Sequence, residues 1–301
     1  MYDKIILYVS YAKEGDEMKN AASNILESVH NAYYQLTVSE RRVADYVLSN
    51  YTKVQFMSIS ELAESSSVSE STITRFCKSI GIRGFNQFKI ELAGYVASSL
   101  PTKETTSLDA RNLEDRARIS RGLILDAVSQ TQDLIDSAKI QLAIDILRAA
   151  NHVMCIGSGG SMILATECAH LFNLVDHKFF EVADSHRQMT VAATMSPSDA
   201  IILFSYSGAT TNGVELLQLA KKEGAKTILI TRFPKSPAGK LADIVLCCGS
   251  SEGPYQIGSI PAAVAQLYLM DILFQEYCSH DPESSAQNIH RVASALSVNH
   301  I

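Results

Sequence analysis

The chain has 301 residues, of which 47% are hydrophobic and 19% charged, and its formal net charge is −6. That length suffices for two domains with at least one large core, and the composition is that of a soluble globular protein. The negative charge argues against a chain that coats nucleic acid indiscriminately, but leaves room for a locally basic face.

No apolar run reaches the ~20 residues of a membrane helix, and Ile5 to Val9 is too short for a signal-peptide core. A cytoplasmic location without membrane attachment is expected. Cys77, Cys155, Cys168, Cys247, Cys248 and Cys278 form no CxxC pair and no Cys/His zinc spacing, and most lie inside apolar segments. They are expected to be reduced and buried. The histidines likewise show no HExxH or comparable pattern, so neither a metal nor a cofactor is expected.

Residues 1–20 hold a short apolar stretch and then mixed charges without a period, and they receive no assignment. From Ala21, the spacing of Ile25, Val29, Leu36, Val43, Tyr46, Val47 and Leu48 predicts two short helices with a break near Leu36 to Ser39. Thr37 or Ser39 would cap the second. Ser60 to Ala63 then read as the start of a short helix, Ser65 to Val68 as a turn, and Ser69 as the N-cap of a helix running to Ile80. Two short helices joined by a tight polar turn make a helix-turn-helix.

In the second helix Ile73, Phe76, Cys77 and Ile80 form an inward stripe, leaving Ser71, Thr72, Thr74, Arg75 and Lys78 outward. Short hydroxyls and long cations suit phosphates and base edges in a major groove. From Thr72 through Ile90 the charged residues are Arg75, Lys78, Arg83 and Lys89, with no acid among them. The segment is therefore basic within an N-terminal region that is close to neutral.

The stretch MSISELAESSSVSESTITRFCKSIGIRGFNQFKIEL, Met57 to Leu92, resembles the N-terminal domain of RpiR-type bacterial transcriptional regulators. The likeness includes the serine-started recognition helix, the RFC-K core and the G-x-x-G-F-x-x-F-K exit, and Leu36 to Tyr51 is similar to the helix that precedes them. The resemblance implies contact with a double-stranded DNA operator. The residues nominated for it are Ser60, Ser69, Ser71, Thr72, Thr74, Arg75, Lys78 and Lys89.

Pro101 to Ser120 is polar and lacks a strong apolar stripe, which reads as a linker. Leu123 to Ala150 regains helical periodicity and fits one or two helices. A βα rhythm follows, with strands at Val153 to Ile156, Lys178 to Val182, Ile201 to Phe204, Thr227 to Thr231 and Ile244 to Cys247. The helices between them are expected at Met162 to Leu174, Ser185 to Ala193 and Val214 to Lys222, with a late apolar helix at Ala262 to Tyr277. The limits expected are a helix-turn-helix domain over 21–98, a linker over 99–120 and an α/β domain over 121–285. The fold class is thus an all-α N-terminal domain plus an α/β C-terminal domain, doubly wound, with a five-stranded parallel sheet flanked by helices.

Two loops share one chemistry. GSGGS, Gly157 to Ser161, and SYSGATT, Ser205 to Thr211, each follow a strand and precede a helix, where backbone N–H groups and the positive end of a helix dipole favour an anion. An ordinary βα turn with capping hydroxyls is the bland alternative. A dinucleotide loop is disfavoured, because Met162 stands where G-x-G-x-x-G needs its third glycine.

Residues 140 to 278 resemble the SIS, or sugar isomerase, domain, whose loop S-x-S-G-x-T is matched by Ser205, Ser207, Gly208 and Thr210. The resemblance implies a sugar phosphate held by Ser158, Gly159, Ser161, Ser205, Ser207, Gly208 and Thr210. Ala209 stands where that family often has Glu, and Ala263 stands where such regulators frequently carry Arg before the A-Q-L motif. Asp184 and His186 are candidates for a sugar hydroxyl, or for capping and surface roles.

Glu252 resembles the position of the base in glucosamine-6-phosphate synthases, but the Lys that follows it there has no obvious match. A carboxylate can also accept hydroxyl hydrogen bonds from a sugar without catalysing its isomerisation. The order of the two resemblances is the RpiR arrangement. The chain is therefore expected to be a regulator rather than an enzyme, acting as a homodimer or homotetramer whose DNA binding responds to a sugar-phosphate effector. An isomerase using Glu252 as base is the alternative.

Overall fold

The computed structural model describes residues 25–99, 112–249 and 259–297. They fall into two compact units, the first ending at Ser120 and the second starting at Arg121.

The first unit is a helical bundle. Helix α1, Ile25–Ala32, passes through a 3-10 turn, Tyr33–Gln35, into α2, Val38–Val54. Of the two expected caps it is Thr37 that starts α2, in a capping box with Glu40. Ser58 and Glu61 make the same box at α3, Ile59–Ser65, and Ser69 caps α4, Glu70–Ser79. Helix α5, Phe85–Ser99, closes the bundle. Val43, Val47, Leu62, Ile73, Phe76 and Phe88 are sealed in one core, with the rings of Phe76 and Phe88 edge to face at 5.8 Å between centroids.

Between α3 and α4 the turn uses Ser67 at φ 53°, the left-handed region that favours glycine.

In the second unit, α6 (Leu113–Asp133), which starts in the first, and α7 (Ser137–Ala149) precede the sheet. The strands are β1 (His152–Gly157), β2 (Phe179–Glu181), β3 (Asp199–Phe204), β4 (Lys226–Thr231) and β5 (Ile244–Cys247). All pair in parallel in the order β2-β1-β3-β4-β5. The connecting helices are α8 (Gly160–Asn173), α9 (Ser185–Ala192) and α10 (Thr211–Lys222); α11 (Ile260–Ser279) and α12 (Pro282–Ser297) follow.

Alternate strand residues feed two cores. Val153, Cys155, Ile202 and Ile230 pack with α7, α8 and α11 on one face, while Met154, Ile156, Leu203 and Leu229 pack with α9 and α10 on the other. Buried on both faces, the strands read as continuous apolar runs rather than alternating ones. No helix of the described residues is long and apolar enough to cross a membrane.

Two boundaries differ from the sequence reading. Helix α6 begins at Leu113, inside the stretch expected as linker, because most of it is solvent-exposed and reads as polar chain. Helix α12 runs past 285 and is tied to this unit where Asn288 Nδ2 donates to Val175 O at 2.8 Å. Among the six cysteines, all free thiols, Cys77, Cys155, Cys168 and Cys248 are buried, and Cys247 and Cys278 are half-buried.

Candidate functional site

Helix α4 is fixed along its inward side by Ile73, Phe76 and Cys77, all fully buried, and at both ends by polar ties. At its start, the Ser60 hydroxyl donates to Glu70 Oε1 at 2.7 Å. At its end, Ser79 Oγ donates to Glu40 Oε1 at 3.0 Å. Glu40 Oε2 also accepts from Thr37 N at 2.9 Å and Thr37 Oγ1 at 2.7 Å, so one carboxylate caps α2 and holds α4. The Thr37 hydroxyl, its backbone N–H, the Ser79 hydroxyl and nearby Arg75 hold the Glu40 carboxyl below the usual range, against burial, which pushes it up.

Ser71, Arg75 and Lys78 recur at i, i+4 and i+7 on one exposed face of α4. Ser69 is also exposed, its hydroxyl 2.8 Å from that of Ser71, and Thr74 is half-buried with its hydroxyl donated to Glu70 O at 3.2 Å. Lys89 lies on α5, its ammonium 5.5 Å from the centroid of the Phe85 ring.

Two nominated side chains turn inward. Thr72 is buried rather than outward, because its backbone N–H and hydroxyl both meet the Ser69 cap; Arg75 Nη2 donates to its oxygen at 3.1 Å. Ser60 is buried as well, since its hydroxyl serves the tie to Glu70.

In the sheet, β1 leads to β2 on one side while β3 lies on the other, so the chain reverses direction between β1 and β3. Ligands of doubly wound sheets bind outside the carboxyl ends of the strands at such a switch point. Gly157 pairs with Phe204 at the ends of these strands, which starts the loops at Ser158 and Ser205 side by side.

In the first loop Ser158, Gly159 and Gly160 are exposed and Ser161 half-buried. Gly159 adopts φ 58°, and a Cβ on Gly157 would stand 2.4 Å from Ser161 O, so the tight return into α8 requires glycine at 157.

The second loop is clamped from β4. Ser205 N donates to Ile230 O at 3.0 Å, and Arg232 N and Thr231 Oγ1 both donate to Tyr206 O at 3.0 Å. Gly208 O accepts from Ala238 N at 2.9 Å. Gly208 sits at φ 60° with its Cα facing buried Ser236. Ser205 is buried and its hydroxyl accepts from Gly208 N at 3.2 Å, which braces the loop, whereas Ser207 and Thr210 are exposed. Thr210 is the N-cap of α10 but makes no side-chain cap bond, so its hydroxyl and the first N–H groups of the helix share one end.

Asp184 caps α9 by accepting from Arg187 N at 2.8 Å, and His186 is exposed. Ala209 is exposed and Ala263 packs against the core. Glu252 lies outside the described residues. Among those described, no group of His, Cys, Asp and Glu is suited to hold a metal.

Gln188 was not nominated from sequence. It is buried on α9, donates to Val182 O at 2.7 Å and accepts from Asn212 Nδ2 at 3.0 Å. The signal was a polar residue on the stripe that also carries Ala192 and Met195.

The chain matches the family model described as "Helix-turn-helix domain, rpiR family" over residues 23–99 and that described as "SIS domain" over 146–275. An uncharacterized HTH-type transcriptional regulator of Caldanaerobacter subterraneus subsp. tengcongensis is 32% identical over 84% of this chain and 89% of its own. One of Haemophilus influenzae is 27% identical over 91% of this chain and 97% of its own. Among solved structures, the Vibrio vulnificus NanR protein complexed with ManNAc-6P superposes with a TM-score of 0.82 at 26% identity, covering 91% of this chain and 98% of that one. The sugar isomerase domain of an RpiR transcription factor from Sphaerobacter thermophilus, at 22% identity and TM-score 0.54, covers 59% and 98% and shares the fold. The chain belongs to the rpiR family of helix-turn-helix transcriptional regulators, with a SIS domain following its DNA-binding domain.

Proposed function

We propose that this regulator binds a double-stranded DNA operator through α4 and that a phosphorylated sugar, bound between the loops after β1 and β3, changes that binding. The observation that carries the reading is the pairing of Gly157 with Phe204, which sets two hydroxyl-bearing loops next to each other at the switch point. NanR, similar along nearly its whole length, was solved with ManNAc-6P, and this supports the same ligand class here.

In this reading Ser158, Gly159, Ser161, Ser207 and Thr210 face the ligand, Ser205 and Gly208 shape the loop, and Glu252 accepts from sugar hydroxyls. Ser69, Ser71, Thr74, Arg75, Lys78 and Lys89 serve DNA. The reading divides the chain into a DNA-reading domain over 21–98, a linker over 99–120 and an effector domain over 121–285, extended by α12; the matches over 23–99 and 146–275 support it. A cytoplasmic homodimer or homotetramer would present two copies of α4 to operator half-sites about 34–36 Å apart. The effector acts by binding one arrangement of the assembly more tightly than the other.

A thermal-shift panel of N-acetylmannosamine 6-phosphate, glucosamine 6-phosphate and glucose 6-phosphate tests the effector. A ligand at 100 times its dissociation constant adds about 2.7 kcal/mol to stability. Selection from fragmented genomic DNA, repeated with the binding sugar present, tests the coupling, and Arg75→Ala should weaken the recovered interaction at matched salt. Absence of any phosphosugar shift overturns the effector reading, and recovery of no discrete sequence overturns the operator reading. Conversion of a panel member by the purified chain would replace sensing with isomerisation and make Glu252 its first candidate base.

A further inference from the structure

Helix α9 starts at the Asp184 cap, and its periodicity puts Gln188 one turn before Ala192, on the side turned to the core that Met195, just past the helix, also joins. A buried amide there is costly unless its donors and acceptor are met. Each is met by a different segment. Nε2 donates to Val182 O, just past the end of β2, at 2.7 Å, and lies 3.4 Å from Gly157 O at the end of β1. Oε1 accepts from Asn212 Nδ2 at 3.0 Å, and Asn212 belongs to the first turn of α10. One side chain, 2% exposed, therefore joins the ends of β1 and β2 to the start of α10.

We infer that Gln188 and Asn212 are positioning residues for the effector site. Neither is assigned contact with the ligand. Gln188 is sealed from solvent and acts through the groups it holds: the carbonyl of Gly157, from which the first loop departs, and the turn of α10 that follows Thr210. The amide pair sets the spacing between the two loops, so a ligand that must touch both meets them already in register. This rests on the effector reading above. It adds that affinity depends on a contact buried beneath the loops, and that the dependence grows with the number of loops a ligand spans. Inorganic phosphate needs only one helix start; a phosphosugar needs both loops.

The test compares wild type, Gln188→Leu, Asn212→Ala and the double variant in the full chain. Affinity is measured for inorganic phosphate and for whichever of N-acetylmannosamine 6-phosphate, glucosamine 6-phosphate and glucose 6-phosphate binds wild type. Each single variant is expected to lose roughly tenfold in phosphosugar affinity, about 1.4 kcal/mol, with little change for inorganic phosphate. The double variant should lose no more than the weaker-binding single, because both changes break one contact. Gln188→Glu, which keeps the acceptor for Asn212 but turns a carboxylate oxygen on the Val182 and Gly157 carbonyls, should lose at least as much as Gln188→Leu.

Equal losses for phosphate and phosphosugar, additive losses in the double variant, or phosphosugar affinity unchanged in both singles overturns the inference alone. If wild type binds no panel member, the effector reading falls and this inference with it.

Discussion

Removing the Glu40 carboxylate should loosen α4 selectively. In Glu40→Ala, α2 loses its capping box and α4 loses the tie at Ser79, two regions that the sequence separates by 39 positions. The Thr37 hydroxyl still caps α2 through the backbone N–H of residue 40, but the carboxylate's bonds to Thr37 N and Oγ1 are lost, costing ~1 kcal/mol, and the bond to Ser79, partly open to water, contributes ~1 kcal/mol more. Their sum, ~2 kcal/mol, corresponds to roughly thirtyfold faster local opening.

Amide hydrogen exchange read peptide by peptide measures this. Residues in α4 and the first turn of α2 should exchange faster by that factor, with α10 in the other unit unchanged, and operator affinity should fall with α4. Glu40→Gln, which keeps an acceptor for Thr37 and can donate to Ser79, should recover most of the protection. Because the folded Glu40 carboxyl titrates below its unfolded value, its contribution is complete above the unfolded pKa and disappears as pH falls through the folded one. Wild type should therefore lose α4 protection on acidification in a way that Glu40→Gln does not. Unchanged α4 exchange in Glu40→Ala, or equal acceleration in α10, would refute the assignment of Glu40 to this tie.

Other expectations follow from single contacts. Ser67→Gly removes the left-handed strain at φ 53° in the turn before α4 and should raise the stability of the first unit by ~0.5–1 kcal/mol, read as slower exchange there; a loss would show that the Ser67 side chain contributes more than its backbone costs. Gly208→Ala would place a Cβ 2.0 Å from Ser236 Oγ at φ 60°, costing on the order of 3 kcal/mol. Adding Ser236→Gly should return the overlap part of that loss but not the strain, and no rescue in a denaturant titration would place the damage elsewhere.

Tyr277 Oη donates to Asp176 Oδ2 at 2.7 Å, and Lys178 Nζ lies 3.2 Å from the same oxygen. Burial raises the Asp176 carboxyl, but the Tyr277 hydroxyl and Lys178 outweigh it and hold it below its usual value. Tyr277→Phe should cost ~1 kcal/mol at neutral pH. That difference should shrink as pH falls through the folded Asp176 value; a pH-independent difference would assign the cost to packing instead.

How much of this was legible in sequence depended on the range over which each residue acts. The strands were visible because burial on both faces makes Ile201 to Phe204 apolar without a break, and α4 because Ser69 and the Ile73, Phe76, Cys77, Ile80 stripe are local signals. The loops were visible for the same reason, as glycine and hydroxyl residues between a strand and a helix. Thr72 was misplaced because helical spacing alone puts it outward, while the Ser69 cap one turn earlier draws its hydroxyl in.

Helix α6 and α12 were missed or shortened because their exposed surfaces have the composition of linkers. The long-range ties of Gln188 and Glu40 were beyond reach for a different reason. Each meets groups from other elements, Asn212 at 24 positions and Ser79 at 39, and a buried polar residue can be recognised as a tie only once its partner's position is known. Both act through contacts that no motif displays: Glu40 ties the end of the helix proposed to read DNA, and Gln188 joins the segments whose spacing is inferred to set the proposed effector site. The motifs therefore name the surfaces that meet ligands, while the geometry of those surfaces rests on residues whose chemistry is used entirely inside the fold.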